Sequence, residues 1–588
     1  MIYRMARRRT CPFLWMWAII FFIWVLLNIS AFTYPIDKWV TANGPEVKRD
    51  ANISGTRHSS DQSGTSRKPS PSPSGSSSAP SPQFKILRPK PPEAEEKKDF
   101  GTSCTCRTAP LAQWHVYEEQ LSLPIPQLNM TSGQVLARRH PNFPHSLVAN
   151  AGQEWCHLLP PPHTIEWKNA NYQSVTVANT TYQLYSAFLD NRPLTNGRPC
   201  IRILAYTMNK KPSAPWCYIW SNFSGPPAIS QVKKIEYVDP LANSSNRVLF
   251  YILTCRIPKA ATRPPPLAVS VVRRPCDKAE TLLQINGAMQ RNTSTAYVKG
   301  SKPKRKSRNP LWNVAVCGPA LFYYHDDISI RLVEWFELLR AMGFARVFLL
   351  QTQVHPNIEK VLRYYEAEGF VGITQFSYPE PYANEPNTRR IWVLEERQKM
   401  FTMENLYFTD CLLRHMHEYR FISHFDPDEM PMLQNHDSFP VWLYDQLRIN
   451  PTRPGRERKR PTSYDLLWYY HHDDLQPAKD KSLPKYLWFL RHTRRLIVDV
   501  NKIQNKPTYD MDLVTGVFSH GALLCVYGDC KMKNYVCPRS VAYLGHYRRN
   551  GTEACKRPCL TKEVRSLLKY KDRVSLAVTR VLTQLKLI

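Results

Sequence analysis

The stretch Trp312–Phe376 decides the fold: WNVAVCGPALFYYHDDISIRLVEWFELLRAMGFARVFLLQTQVHPNIEKVLRYYEAEGFVGITQF. WNVAVCGPALFYY reads as a strand running into a loop. ISIRLVEWFELLRAMG carries apolar residues at helical spacing and stops at Gly343. ARVFLLQ is a buried strand, HPNIEKVLRYYEAEG a second helix with a glycine stop, and FVGITQF a third strand. This alternation predicts a mostly parallel α/β sheet. Such sheets bind ligands beyond the carboxyl ends of their strands.

Downstream, MENLYFTDCLLRHMHEY is helical in pattern and RFISHFDPDEMPML follows it. Arg420 to Phe425 reads as a short strand with Asp426, Asp428 and Glu429 at its carboxyl end. Pro427 restricts the backbone between the two aspartates. Two carboxylates so spaced can hold one divalent cation through hard oxygen ligands. Mn²⁺ or Mg²⁺ there would neutralise a nucleotide diphosphate as it leaves. A bare D-x-D is a common pattern, and a solvated acidic turn is its bland alternative; position at a strand end favours the functional reading. A haloacid-type phosphatase would place its aspartates near the start of an α/β domain, and Pro-Asp-Glu-Met-Pro does not fit that loop.

Working outward, residues 310–580 form the α/β domain and SKPKRKSRNP links it to what precedes. From 104 to 300 the chain has short apolar runs broken by Pro, Asn and Gly, among them SVTVANTTYQLYSAFLD, IRILAYTM and RVLFYILTC. These predict a β-rich, sandwich-like antiparallel module, serving either support or carbohydrate binding. Residues 33–103 are Pro/Ser-rich and poor in apolar side chains, which predicts a disordered stem.

Residues 11–32, CPFLWMWAIIFFIWVLLNISAF, are long and apolar enough to cross a bilayer. Arg4, Arg7, Arg8 and Arg9 precede them, so residues 1–10 form a cytoplasmic tail and the rest is luminal. A cleaved signal peptide would have a shorter apolar core and a small-x-small cleavage site. Sequons at Asn52, Asn129, Asn179, Asn222, Asn243, Asn292 and Asn550 agree with a luminal body. So do the 15 cysteines, of which all but Cys11 follow the apolar run. That even luminal set allows full disulfide pairing. Cys525, Cys530, Cys537, Cys555 and Cys559 lack the paired C-x-x-C spacing of a zinc site. The formal charge of +31 is diffuse, and no recognised module supports a nucleic-acid partner.

WNVAVCGPALFYYHDD, RLVEWFELLRAMGFARVFLL, VLRYYEAEGFVGITQF, TDCLLRHMHEYRFISHFDPDEMPM and GHYRR together resemble glycosyltransferase family 92. The resemblance spans Trp312 to Arg549. Its most specific pieces are Glu334–Trp335, Asp410-Cys411-Leu412 and Asp426–Glu429. It implies a GT-A fold, a UDP-galactose donor, Mn²⁺ (Mg²⁺ in its place), inversion at the anomeric carbon and a β1,4-galactosyltransferase acting on an N-glycan or other polysaccharide. Carried over by position, Asp426 and Asp428 would hold metal and diphosphate, with Glu429 the trailing acid. His546 in GHYRR, then His520, would be a further metal ligand, and Arg548 or Arg549 would face the diphosphate, a surface role being the bland alternative. The general base such a transfer needs could be Asp473, Asp474 or Asp512; for each the bland reading is a surface acid. Gln351 and Pro427 depart from the family pattern, and Arg453 to Pro461 reads as a basic insertion. Anchor, stem and resemblance together imply a single-pass type II Golgi membrane enzyme. The rival reading is a carbohydrate-binding or scaffolding protein with a decayed transferase domain.

Overall fold

The computed structural model describes residues 104–110, 132–149, 154–195, 198–239, 248–287, 313–449, 460–473, 475, 483–497, 504–530, 534–549 and 560–588. The apolar run 11–32, the stem, five of the sequons, Asp474 and most of the basic insertion lie outside these residues. Among the described residues, no helix is long and apolar enough to cross a membrane. Of the sequons that are described, Asn179 is exposed on the two-residue loop between paired strands, and Asn222 is exposed too.

The α/β half follows the alternation read from the sequence. The strands along the main path of its sheet are β1 (Val314–Leu321), β2 (Arg346–Gln351), β3 (Val371–Gln375), β4 (Phe421–His424), β5 (Glu429–Leu433), β6 (Ser463–His472), β7 (Asn505–Asp510) and β8 (Ala542–Arg548). Its helices are α1 (Ser329–Ala341), α2 (Pro356–Ala367), α3 (Pro386–Glu395), α4 (Arg397–His415), α5 (Phe439–Ile449) and α6 (Lys571–Gln584). The glycine stops behave as read: Gly343 after α1 has φ 88° and Gly369 after α2 has φ 73°, the left-handed turn that favours a residue without a Cβ.

The sheet order is β3-β2-β1-β4-β7-β6-β8-β5. The first four strands are parallel. Beyond them β7 runs antiparallel to both β4 and β6, and β5 antiparallel to β8. The sheet is therefore mixed, and the parallel reading holds for the half that has helical crossovers. Among the described residues no helix joins β6 to β7 or β7 to β8, so the strand–helix period is lost there.

The N-terminal half is β-rich, as expected, but its strands do not divide into the two separate sheets of a sandwich. Thr180–Asp190, Cys200–Thr207, Leu249–Arg256, Ala228–Tyr237, Trp216–Trp220, Ala268–Val272 and Leu283–Asn286 follow one another in hydrogen-bonded order, and the last pairs back to the first. The result is a closed ring around an apolar interior that includes Leu184, Ile203, Leu253 and Val271. Alternation of apolar residues is the same for a closed and an open sheet, so sequence alone does not separate them.

The two halves share a core. Tyr172, Tyr185, Phe188 and Tyr206 of the β-rich half pack with Phe348, Phe376, Tyr407 and Ile422 of the α/β half. Polar contacts cross the same boundary. Ser186 Oγ donates to Asp410 Oδ1 at 2.7 Å, and Arg414, which grips Asp410, reaches Asn286 and Asn142. Asp410 of the family segment is thus a junction residue. Its neighbour Cys411 is disulfide-bonded to Cys317 of β1.

Among the described residues five disulfides are formed, the other four being Cys104–Cys276, Cys106–Cys156, Cys217–Cys255 and Cys525–Cys530. Full pairing is not reached among the described residues: Cys200 and Cys537 are buried free thiols. Cys555 and Cys559 lie outside them.

A second junction is charged. Asp190 is fully buried and accepts from Arg192 and Arg202. Burial pushes its carboxyl up, but the two guanidiniums outweigh this and hold it well below the carboxylate range. Arg192 also donates to the carbonyls of Val514, at 2.7 Å, and Met511. Arg192→Ala is expected to cost about 3–5 kcal/mol, the order found when one partner of a buried pair is removed. Denaturant unfolding of the chain checks this, and a change under 1 kcal/mol would contradict it.

Candidate active site

Strand β4 carries Phe421–His424 through the buried sheet and releases the chain where Asp426 begins a tight turn. Glu429 N–H donates to the Asp426 carbonyl at 2.9 Å, and the chain returns as β5. Strand β5 pairs antiparallel with β8 so that Glu429 lies opposite His546. This register brings together two residues 117 positions apart.

Helix α1 props the turn. The Trp335 indole N–H donates to the Glu429 carbonyl at 3.0 Å. The buried Glu334 carboxylate accepts the backbone N–H groups of Trp488, Phe489 and Leu490 at 2.5, 3.1 and 2.9 Å. Burial raises its pKa to about 7 against those three hydrogen bonds. The Glu334–Trp335 pair therefore fixes the acidic turn on one side and the 488–490 loop on the other.

Around Asp428 the field is positive. Burial alone pushes its carboxyl up, but His546, Arg548 and Arg331 outweigh this and bring it to about 2. His546 is driven down by burial and by Arg548, which favours neutral imidazole. Arg548 Nε–H donates to His546 Nε2 at 3.1 Å, which makes that nitrogen an acceptor. The same nitrogen is 3.3 Å from Asp428 Oδ2, also an acceptor. A cation between the two would satisfy both.

Glu429 extends the same cluster. Its Oε1 is buried without a hydrogen-bond partner and lies 3.8 Å from His546 Nδ1, which is likewise buried and unpartnered. Burial, together with Asp426 and Asp428 and against Lys506, drives the Glu429 carboxyl well above its usual range. One ligand atom from each of Asp428, Glu429 and His546 falls within 4.8 Å of the others, a spacing that fits a divalent ion. The other such group among the described residues, Cys106, Cys156 and His157, has its cysteines tied in a disulfide.

The residues expected from the sequence divide in two. Asp428, Glu429, His546 and Arg548 converge. Asp426 adjoins them but is bonded to Lys506, Nζ to Oδ2 2.7 Å. His520 does not join the cluster: its Nδ1 bonds the Asn505 carbonyl at 2.7 Å and its ring faces Trp468. Asp512 also belongs elsewhere. It is paired with Arg460 and Arg420, and Arg420 precedes β4, at the opposite end of that strand from the acidic turn. Asp473 lies on the arginine side of the cluster. Its N–H donates to the Arg548 carbonyl, and its carboxylate accepts the Trp488 indole N–H at 2.6 Å. Gln351 is buried at the end of β2 and hydrogen-bonded to Arg363, which accounts for a polar residue there.

Three neighbours escaped the sequence reading: Lys506, Arg331 and Tyr323. Arg331 lies over the Trp488 ring at 3.6 Å; burial lowers its pKa, and Asp428 acts against that shift. The Tyr323 hydroxyl is pushed up by burial and by Asp428 and Asp426. Both stand in segments that carry the resemblance, in RLVEW and FYYHDD, so the resemblance was a usable signal. Lys506 had none.

Residues 313–579 match the family model of glycosyltransferase family 92, which makes this half of the molecule a glycosyltransferase domain. The match supports glycosyltransferase family 92 for this region. Among solved structures it is similar to one titled a mycobacterial protein, at 11% identity and TM-score 0.21, covering 47% of this chain and 74% of that one. It is also similar to residues 1–349 of S. aureus TarS, at 11% identity and TM-score 0.18, covering 34% and 47%. At those scores neither bears on activity. No curated protein matches the chain.

Replacing Glu334 with Ala orphans three backbone N–H groups. A loss of about 2–3 kcal/mol is expected, read from the denaturation midpoint. A neutral result would show that the loop does not depend on this carboxylate.

Proposed function

We propose that the protein is a divalent-metal-dependent, inverting galactosyltransferase of GT-A type that moves galactose from UDP-galactose to a glycan acceptor in a β1,4 linkage. The observation that carries this is the convergence of Asp428, Glu429 and His546 at the carboxyl end of β4, with Arg331 and Arg548 beside them. A domain of family 92 supplies the context, and the donor sugar, linkage and acceptor class come from that resemblance.

Asp428, Glu429 and His546 would hold the ion, and two carboxylates with one imidazole suit Mn²⁺ better than Mg²⁺, which prefers oxygen alone. When bound, it supplies Lewis-acid stabilisation of the departing diphosphate. Arg548 and Arg331 flank the same position and offer fixed positive charge to that leaving group. His546 is kept neutral, as a metal ligand must be. Tyr323 offers an aromatic face beside the acidic turn. Asp473 is the candidate base, since it sits on the arginine side of the site whereas Asp512 is drawn away by Arg420 and Arg460.

We further propose a type II topology in the Golgi membrane, with residues 11–32 as anchor and residues 33–103 as stem. The five disulfides agree with an oxidising lumen.

The test is UDP-galactose turnover by residues 104–588 with an acceptor glycan panel, with and without Mn²⁺. Turnover that needs the ion is expected, and Asp428→Ala should lower it at least ~100-fold, because the ion's charge stabilisation amounts to several kcal/mol. Transfer without metal, or full activity of the variant, would defeat the mechanism. Glycan binding without any UDP binding would instead favour a carbohydrate-binding protein with a decayed transferase domain.

A further inference from the structure

Lys506 is a charged side chain only 3% exposed in the middle of a sheet. Taking an ammonium out of water costs several kcal/mol unless it is paired. Its position follows from strand register. Strand β7 is antiparallel to β4, with Ser423 opposite Thr508. Two residues further along β7, Lys506 lies past the carboxyl end of β4, alongside the acidic turn. Its Nζ is 2.7 Å from Asp426 Oδ2 and 3.5 Å from Glu429 Oε2.

The same Glu429 oxygen also accepts the Asp426 backbone N–H at 2.9 Å. Both interactions draw on Oε2. They leave Oε1 buried, without a hydrogen-bond partner, and near His546. Asp426 meanwhile is absent from the set of ligand atoms that lie within 4.8 Å of one another.

We propose that Lys506 is a built-in cation that divides the three carboxylates of the acidic turn, engaging Asp426 so that it does not coordinate metal and turning Glu429 so that its free oxygen joins Asp428 and His546 as the divalent-cation site. The inference rests on the metal-dependent reading above and sharpens it: of the two aspartates of the motif, only the second is a metal ligand. Lys506 is a positioning residue, acting on the ion through Glu429 and by occupying Asp426.

The experiment is a Mn²⁺ titration of the full chain in the presence of UDP, with free ion counted by its electron paramagnetic resonance signal. Asp426→Asn is expected to keep Mn²⁺ affinity within about threefold. Asp428→Asn and His546→Gln should each lose tenfold or more. In a Lys506→Met background Asp426 is released, so adding Asp426→Asn there should cost tenfold, an effect missing in the parent. Lys506→Arg should restore the parental pattern.

Equal losses for Asp426→Asn and Asp428→Asn would overturn the division while leaving metal dependence intact. No Mn²⁺ binding by the unmodified chain would overturn the metal-dependent reading and the division with it. Should Lys506→Met fail to fold, the comparison of the two aspartate variants decides alone.

Discussion

The antiparallel pairing of β5 with β8 sets Glu429 against His546, and the rest of the site is arranged around that contact. Three carboxylates within four residues repel one another wherever water is scarce. The fold supplies a counterweight from each direction: Lys506 from β7, Arg548 from β8, and Arg331 from α1. None of these is close in sequence to the turn it serves. The turn's acidity and the mixed character of the sheet are therefore linked, because β7, which carries Lys506, and β5, which begins at Glu429, are the two strands that run against the others.

The same constraint explains why the β-rich half is built in. Helix α4 leads into β4, and it is gripped from the other side by Ser186, Asn142 and Asn286 through Asp410 and Arg414. The aromatic residues of the ring fill the back of the α/β sheet. Carbohydrate binding by the ring would be an addition to this supporting role. The family match begins at residue 313, yet the hydrophobic core that backs β4 extends well before that residue.

Much of the α/β half was legible in the sequence, because period and glycine stops are local properties. The placement of Asp426 and Asp428 at a strand end was legible for the same reason. What the pattern could not supply was pairing across distance. His546 and His520 look alike as isolated histidines, and only the registers of β8 and β7 separate a converging ring from one that bonds the Asn505 carbonyl. Asp512 and Asp473 likewise look equivalent until Arg420 and Arg460 draw one away. Lys506, in NKPTYD, has no local signature, and ring closure in the first half leaves none either.

The residues that most clearly mark the family have a property of their own. Glu334, Trp335, Asp410 and Cys411 hold backbone, bridge the two halves or close a disulfide. Lineages that lost the chemistry but kept the protein would still be under pressure to retain them, since their loss unsettles the fold. Kinship judged by those positions thus tracks architecture. Whether a relative remains an enzyme is better judged from the charges that meet at the turn, where a single substitution at residue 428 or 546 would leave the resemblance almost untouched.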